Sequence, residues 1–184
     1  MVDPSEPSDL SLLQALTAHD LSALSALYDR YGRVAYSLAH RILGEPEAAE
    51  DVVQEAFLAA WKGAGTFRAE RGNVRGWLLS IVHHRSVDLL RRRTAFRPAP
   101  LEAADRMPAD VDVAEEAARN LEGGTVRAAL GALPEAQRRT LELAYFGGYT
   151  QSELAELMGV PLGTVKGRMR IGLQKMRRAL AGAQ

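Results

Sequence analysis

Three groups of side chains in this sequence have the types and spacing to hold a partner. The first is carboxylate-rich. Within EDVVQEAFLAAW, Asp51, Gln54, Glu55 and Leu58 follow at separations of three or four, which sets them on one side of a helix, with Phe57 and Trp61 on a neighbouring face. Taken alone, acids here complement a helix N-terminus and the two aromatics read as core. The second group begins in the polar loop GAGTFRAERGN, which carries Arg68, Arg71 and Asn73. It continues into a helix bearing Arg75, Trp77, His83, His84, Arg85, Asp88, Arg91 and Arg92. Cations interleaved with aromatics suit single-stranded nucleic acid, because phosphates need charge and unstacked bases need planar partners. Trp77 falls on the apolar stripe of its helix and so reads first as core, whereas His84 reads as a polar contact on the cationic face. The third group is C-terminal: Thr164, Lys166, Arg168, Arg170, Lys175, Arg177 and Arg178 stand opposite an apolar stripe of Val165, Met169, Leu173, Met176 and Leu180. An α-helix fits the DNA major groove, where early residues meet base edges and later cations neutralise phosphates. Alanine at Arg168 is therefore expected to weaken recognition by about 1–3 kcal/mol if it reads a base, and more uniformly across sequences if it touches phosphate.

Other chemistries find no residues to carry them. His83 and His84 point roughly 100° apart on a helix and have no second ligand cluster near them in sequence, so no metal site is expected. Cysteine is absent, which excludes disulfides and thiolate ligands within the chain. No GxxxxGK[ST], HExxH or GxSxG string occurs, and the reading is of a protein that is not an enzyme, with no catalytic residues and no cofactor. The formal net charge is zero, yet it is distributed in blocks: acids crowd residues 45–55 and 102–122, cations crowd 68–97 and 166–178. The opening MVDPSEPSDL lacks the basic-then-apolar pattern of a signal peptide, and the longest apolar runs are too short to span a bilayer. A cytoplasmic chain without direct membrane insertion is expected.

The elements that must position these groups are helical. Leu21, Leu24, Leu27, Tyr31, Val34, Leu38 and Ile42 recur at helical spacing up to Gly44. Pro46 then suits a first helical position, and Val52, Val53, Phe57 and Trp61 carry a second helix to Gly63. A third runs from Val74 past Leu89 into Arg91, Arg92 and Arg93. Prolines, alanines and acids then replace the pattern, which predicts a flexible acidic linker over residues 95–122. Fully extended, some 25 residues reach roughly 80 Å, more than two turns of DNA at about 35 Å each. Beyond it, Val126, Leu130 and Leu133 mark a helix, and Pro134 opens another that Gly147 and Gly148 stop. Thr150 with Glu153 is a capping-box signature for a short helix, and a turn over residues 160–163 leads into the last, cationic one. This is a helix-turn-helix, in which Gly167 and Gly172 each cost about 1 kcal/mol of helix stability, Gly167 being the one read as permitting a close approach. The expectation is an all-α chain of two small helical domains: an N-terminal extension 1–20, a first domain 21–94, the linker 95–122, and a helix-turn-helix domain 123–184.

In this order the strings DVVQEAFLAAW, NVRGWLLSIVHHRSVDLLRRR, an acidic proline-containing linker and LPEAQRRTLELAYFGGYTQSELAELMGVPLGTVKGRMR resemble the extracytoplasmic-function (ECF) group of the sigma-70 family of RNA polymerase sigma factors. The resemblance implies that residues 21–94 are region two and 123–184 region four, and that the chain recognises minus-ten and minus-thirty-five promoter elements and promotes melting for transcription initiation. It implies that Asp51, Gln54, Glu55, Phe57, Leu58 and Trp61 bind core polymerase, whose clamp coiled coil and flap are the expected contacts. It places Arg68, Arg71, Asn73, Arg75, Trp77, His84, Arg85, Asp88, Arg91 and Arg92 at minus-ten DNA, including the melted non-template strand. Thr150, Thr164, Lys166, Gly167, Arg168, Arg170, Lys175 and Arg177 fall at the minus-thirty-five element. Two positions depart from the family pattern: His84 stands where many relatives have asparagine, and Gly167 where serine is common. An anti-sigma factor, often membrane-anchored in this family, is an implied partner. The rival reading is a dimeric helix-turn-helix regulator of duplex operators, which has no use for the second cationic site.

Overall fold

The computed structural model describes residues 7–94 and 121–181, and every regular element among them is helical. The helices form two compact units. Most of the segment read as a linker lies outside the described residues.

In the first unit, α2 (Leu21–Leu43) starts at Asp20, whose carboxylate accepts hydrogen bonds from the Ser22 amide at 2.8 Å and the Ser22 hydroxyl at 2.7 Å. Those bonds hold the Asp20 carboxyl below its usual range, the side-chain one most strongly. The helix stops at Gly44, which takes the left-handed conformation at φ 73° that only glycine adopts at no cost. Helix α3 (Pro46–Gly63) begins on its proline, and α4 is Val74–Thr94. Ala35, Ala39, Ala49 and Ala56 are fully buried where these helices face one another. Such small side chains let helix axes approach closely, with Leu27, Val52, Val53, Leu78 and Val82 filling the remaining space.

Residues 1–20, read from the sequence as an extension ahead of the domain, include a helix of that domain. Helix α1 (Asp9–Thr17) buries Leu12, Leu13 and Leu16 in the common core. It is fastened by Asp9, which accepts hydrogen bonds from Arg30 at 2.5 Å and from the Tyr31 hydroxyl. Burial, with the Asp9 carboxylate adding to it, pushes the Tyr31 phenol from 10.0 up to about 12. The raised value means that the folded chain favours the neutral phenol, so this contribution to stability is complete below pH 10.0 and is lost as pH rises through about 12. Denaturant titrations of the wild type and Tyr31→Phe are expected to differ at neutral pH and to converge across that window. A difference that does not change with pH would contradict this account of Tyr31.

The second unit comprises α5 (Leu121–Gly131), α6 (Glu135–Tyr145), α7 (Gln151–Leu157) and α8 (Leu162–Ala181). The capping box at α7 is formed as expected: the Glu153 amide donates to Thr150 Oγ1 at 3.2 Å, and the Thr150 amide donates to Glu153 Oε2 at 2.6 Å. Thr150→Ala should lower the unfolding free energy by about 1 kcal/mol while Thr150→Ser retains it, as read by denaturant titration. Equal losses in the two variants would remove the hydroxyl from the account. Leu143, Leu154 and Val165 centre the core, and Gly159, at φ 62°, turns the chain between α7 and α8.

Two sequence expectations change here. Helix α8 begins at Leu162, inside the stretch read as a turn, because Pro161 supplies the carbonyl that receives the Thr164 amide at 2.8 Å. The apolar stripe also shifts. Leu173 is 45% exposed, and its neighbour Gly172 is the buried residue. A Cβ at Gly172 would lie 2.9 Å from Leu141 Cδ1, so the space a leucine would take on α8 is filled from α6. The close approach falls at Gly172 and not at Gly167, around which a Cβ would meet nothing within 4 Å.

Candidate nucleic-acid interface

On α3 the structure sets Asp51, Gln54, Glu55 and Leu58 on one exposed face, as their spacing requires. Phe57 does not join them. It is 4% exposed, and its ring meets the edge of Tyr28 with centroids 4.9 Å apart. Its place is the core, as its position on the neighbouring stripe already allowed. Trp61 is half-buried against the same core and takes an edge contact from His19 at 6.3 Å. Tyr28, which sequence reasoning passed over, is 48% exposed above Phe57. Its signal was its place seven residues from Leu21 on α2, a spacing that puts two apolar side chains on one outer face.

The polar loop is more ordered than its composition suggests. It contains two single 3-10 turns, Ala64–Thr66 and Ala69–Arg71. The Arg68 guanidinium donates to the carbonyls of Phe67 and Gly65 at 3.0 and 3.2 Å. Gly72, at φ 141°, is the position where the chain reverses into α4. Asn73 accepts the Gly76 amide at 2.7 Å and thereby caps the new helix. Phe67 packs edge-on against Trp77 with centroids 5.7 Å apart, and Trp77 is half-buried against the core. Of the residues read as cationic or polar contacts, Arg68, Asn73, His84, Asp88, Arg91 and Arg92 are exposed, and Arg75 and Arg85 are half-buried. The Arg71 side chain lies outside the described residues.

His84 Nδ1 sits 2.6 Å from the Ser80 carbonyl. A carbonyl only accepts, so Nδ1 is the donor in this contact and Nε2 faces away from it as the free ring position for a partner. The His83 and His84 rings are 5.6 Å apart at 79°, and among the described residues no group of three or more His, Cys, Asp or Glu could hold a metal. Arg85 reaches across to Glu55 at 2.7 Å, joining the cationic helix to the acidic one, and Arg93 pairs with Glu45 at 2.6 Å. Both pairs are solvent-exposed and contribute at most about 1 kcal/mol each.

On α8, Thr164, Lys166, Arg170, Lys175 and Arg177 are exposed, whereas Gly167 and Arg168 are half-buried. Lys166, Arg170 and Arg177 line an open groove of about 540 Å³ together with Met169, Leu173 and Gln174, and Gln151 from the first turn of α7 joins them. Gln151 is the contributor missed from sequence. Its signal was the residue following an N-cap, where a helix start meets the groove side of its partner helix. Thr150 lies beside it with its hydroxyl engaged in capping.

Two small helical units, the second a cationic helix-turn-helix, accompany clear family matches. Sigma-70 region 2 matches residues 27–96, and Sigma-70, region 4 matches residues 129–178. The chain is 36% identical over 180 residues to the ECF RNA polymerase sigma factor SigK of Mycobacterium tuberculosis (strain ATCC 25618 / H37Rv), covering 96% of each. It is 32% identical over 171 residues to the protein of the same name from Mycobacterium sp. (strain JLS), covering 92% of this chain and 89% of that one. Among solved structures it is similar to Rhodobacter sphaeroides SigE in complex with the anti-sigma ChrR, at 28% identity and a TM-score of 0.48, over 95% of this chain and 99% of that one. It is also similar to CnrH in complex with the cytosolic domain of CnrY, at 28% identity and a TM-score of 0.41, over 96% and 99%.

Regions 2 and 4 in succession define a protein of the sigma-70 class. The chain belongs to the ECF group of RNA polymerase sigma factors, a family not known as enzymes. No described helix is long and apolar enough to cross a membrane.

Proposed function

We propose that this sigma factor divides its work among three surfaces. The face of Asp51, Gln54, Glu55 and Leu58 docks on a basic coiled coil of core polymerase. The loop of Arg68, Arg71 and Asn73, with Arg75, Trp77, His84, Arg85, Asp88, Arg91 and Arg92 of α4, holds the minus-ten element and its unpaired strand. Helix α8 reads the minus-thirty-five duplex through Thr164, Lys166, Arg168, Arg170, Lys175 and Arg177, with Gly167 among them and Thr150 at the start of α7. The two promoter-binding domains are the units that hold α1–α4 and α5–α8, joined by the acidic stretch between them. The partners are core polymerase and promoter DNA, with an anti-sigma factor as regulator, and the site of action is the cytoplasm.

The observation that carries this reading is the pairing of two different cationic surfaces in one chain. One is a helix suited to a major groove. The other is a loop and helix with aromatic support, suited to unpaired bases. Photo-crosslinkers at Asn73 and at Lys166, in holoenzyme on a promoter, test the division. Asn73 should label unpaired non-template DNA, and Lys166 should label duplex upstream of it. Labelling of the same duplex by both would contradict the reading.

A further inference from the structure

The Sigma-70 region 2 match begins only at residue 27, yet α1 lies ahead of it and is built into the same core. What α1 touches is specific. Leu12, Leu13 and Leu16 belong to the buried cluster that also holds Ala64 and Val74, the residues at which the chain leaves the core to form the polar loop and re-enters it. Between those anchors Thr66, Arg68, Ala69, Glu70 and Asn73 are exposed. Helix α1 packs against α2, the Ala64–Thr66 turn and α4, and so forms part of the apolar floor in which both ends of the loop are anchored.

A polar latch completes this arrangement. Asp9 accepts from Arg30 at 2.5 Å and from the Tyr31 hydroxyl, while Arg30 also donates to the Pro7 carbonyl at 3.1 Å. Tyr31 and Trp77 of α4 pack against the same buried cluster, so the latch and the helix that follows the loop share one core. One nine-residue helix thus supplies both the apolar floor and the polar latch.

We propose that α1, held by Asp9, is a positioning element for the loop 68–73 and the start of α4, and sets how well that surface captures unpaired promoter bases without itself docking on polymerase. The inference rests on the function proposed above for the loop. A loop opens locally once an anchor loosens, and a binding surface displaced by a fraction of an ångström loses much of its hold.

The test uses the full chain with core polymerase, on a promoter selected by the wild-type holoenzyme, supplied both as duplex and with a pre-opened bubble. Asp9→Ala and the milder Tyr31→Phe should lower initiation from the duplex roughly 5- to 30-fold, a change equivalent to one or two kcal/mol. Affinity for core polymerase should be retained, the bubble template should restore most of the initiation, and Asp9→Glu should behave as wild type. An equal loss on the bubble template, or a matching loss of core affinity, would reduce α1 to a structural prop and overturn the proposal. So would unchanged initiation from the duplex. If the wild-type chain itself supports no initiation, the reading of the loop falls and the proposal falls with it.

Discussion

Phe57→Ala is expected to cost about 3–5 kcal/mol of stability in the first unit, the usual penalty for emptying a buried phenylalanine site. That is a large share of the 5–15 kcal/mol that holds a small domain together. The side chain is 4% exposed and packed on Tyr28, so its loss leaves a cavity in the buried cluster and removes little from the surface. The adjacent Leu58→Ala should do the opposite. Leu58 is 48% exposed, and its truncation should change stability by less than about 0.5 kcal/mol. Because Leu58 is the apolar member of the proposed docking face, its truncation should nevertheless weaken core polymerase binding by about 2 kcal/mol, roughly 30-fold. Thermal melts and polymerase titrations of the two variants separate these effects. A Phe57→Ala chain that melts like the wild type but fails to bind polymerase would show that the ring is a docking residue and that its burial is not what matters.

Arg170→Ala should weaken minus-thirty-five recognition by about 1–3 kcal/mol with loss of preference at one base pair, if its fork meets a guanine. Arg170 is exposed and lines the groove with Lys166 and Arg177, where a guanidinium can extend to a base edge. Arg168, singled out from sequence, is half-buried on the flank of α8, and its truncation should act more evenly across sequences. Selection of minus-thirty-five variants with each mutant holoenzyme decides between them. Relaxed preference from Arg168→Ala, with Arg170→Ala merely weakening all sites alike, would reverse the assignment.

Helix periodicity was the legible part of this fold. The boundaries at Gly44, Pro46, Val74 and Thr150 follow from glycine, proline and capping chemistry, which act within one turn of the chain. Contacts between helices were not legible. Leu173 looked inward because large apolar residues usually do, but Leu141 from another helix occupies that space, and the residue facing it is Gly172. Helix α1 was missed for a related reason. Its Leu12, Leu13 and Leu16 are too few to make a periodic pattern, and only their burial against α2 and α4 reveals the role. The acidic face of α3 could be read because i, i+3, i+4 spacing alone fixes which residues share a side. The same spacing put Phe57 on a neighbouring face, and what it could not show is the ring of Tyr28, from a different helix, that packs against it.

The most direct measurement is runoff transcription by bacterial core polymerase with and without this chain, on templates selected from random DNA in the presence of both. Specific initiation that depends on the chain, from templates sharing two conserved elements, is the predicted result. Tight sequence-specific duplex binding by the chain alone, with no initiation from any template, would contradict it and point to an operator-binding regulator.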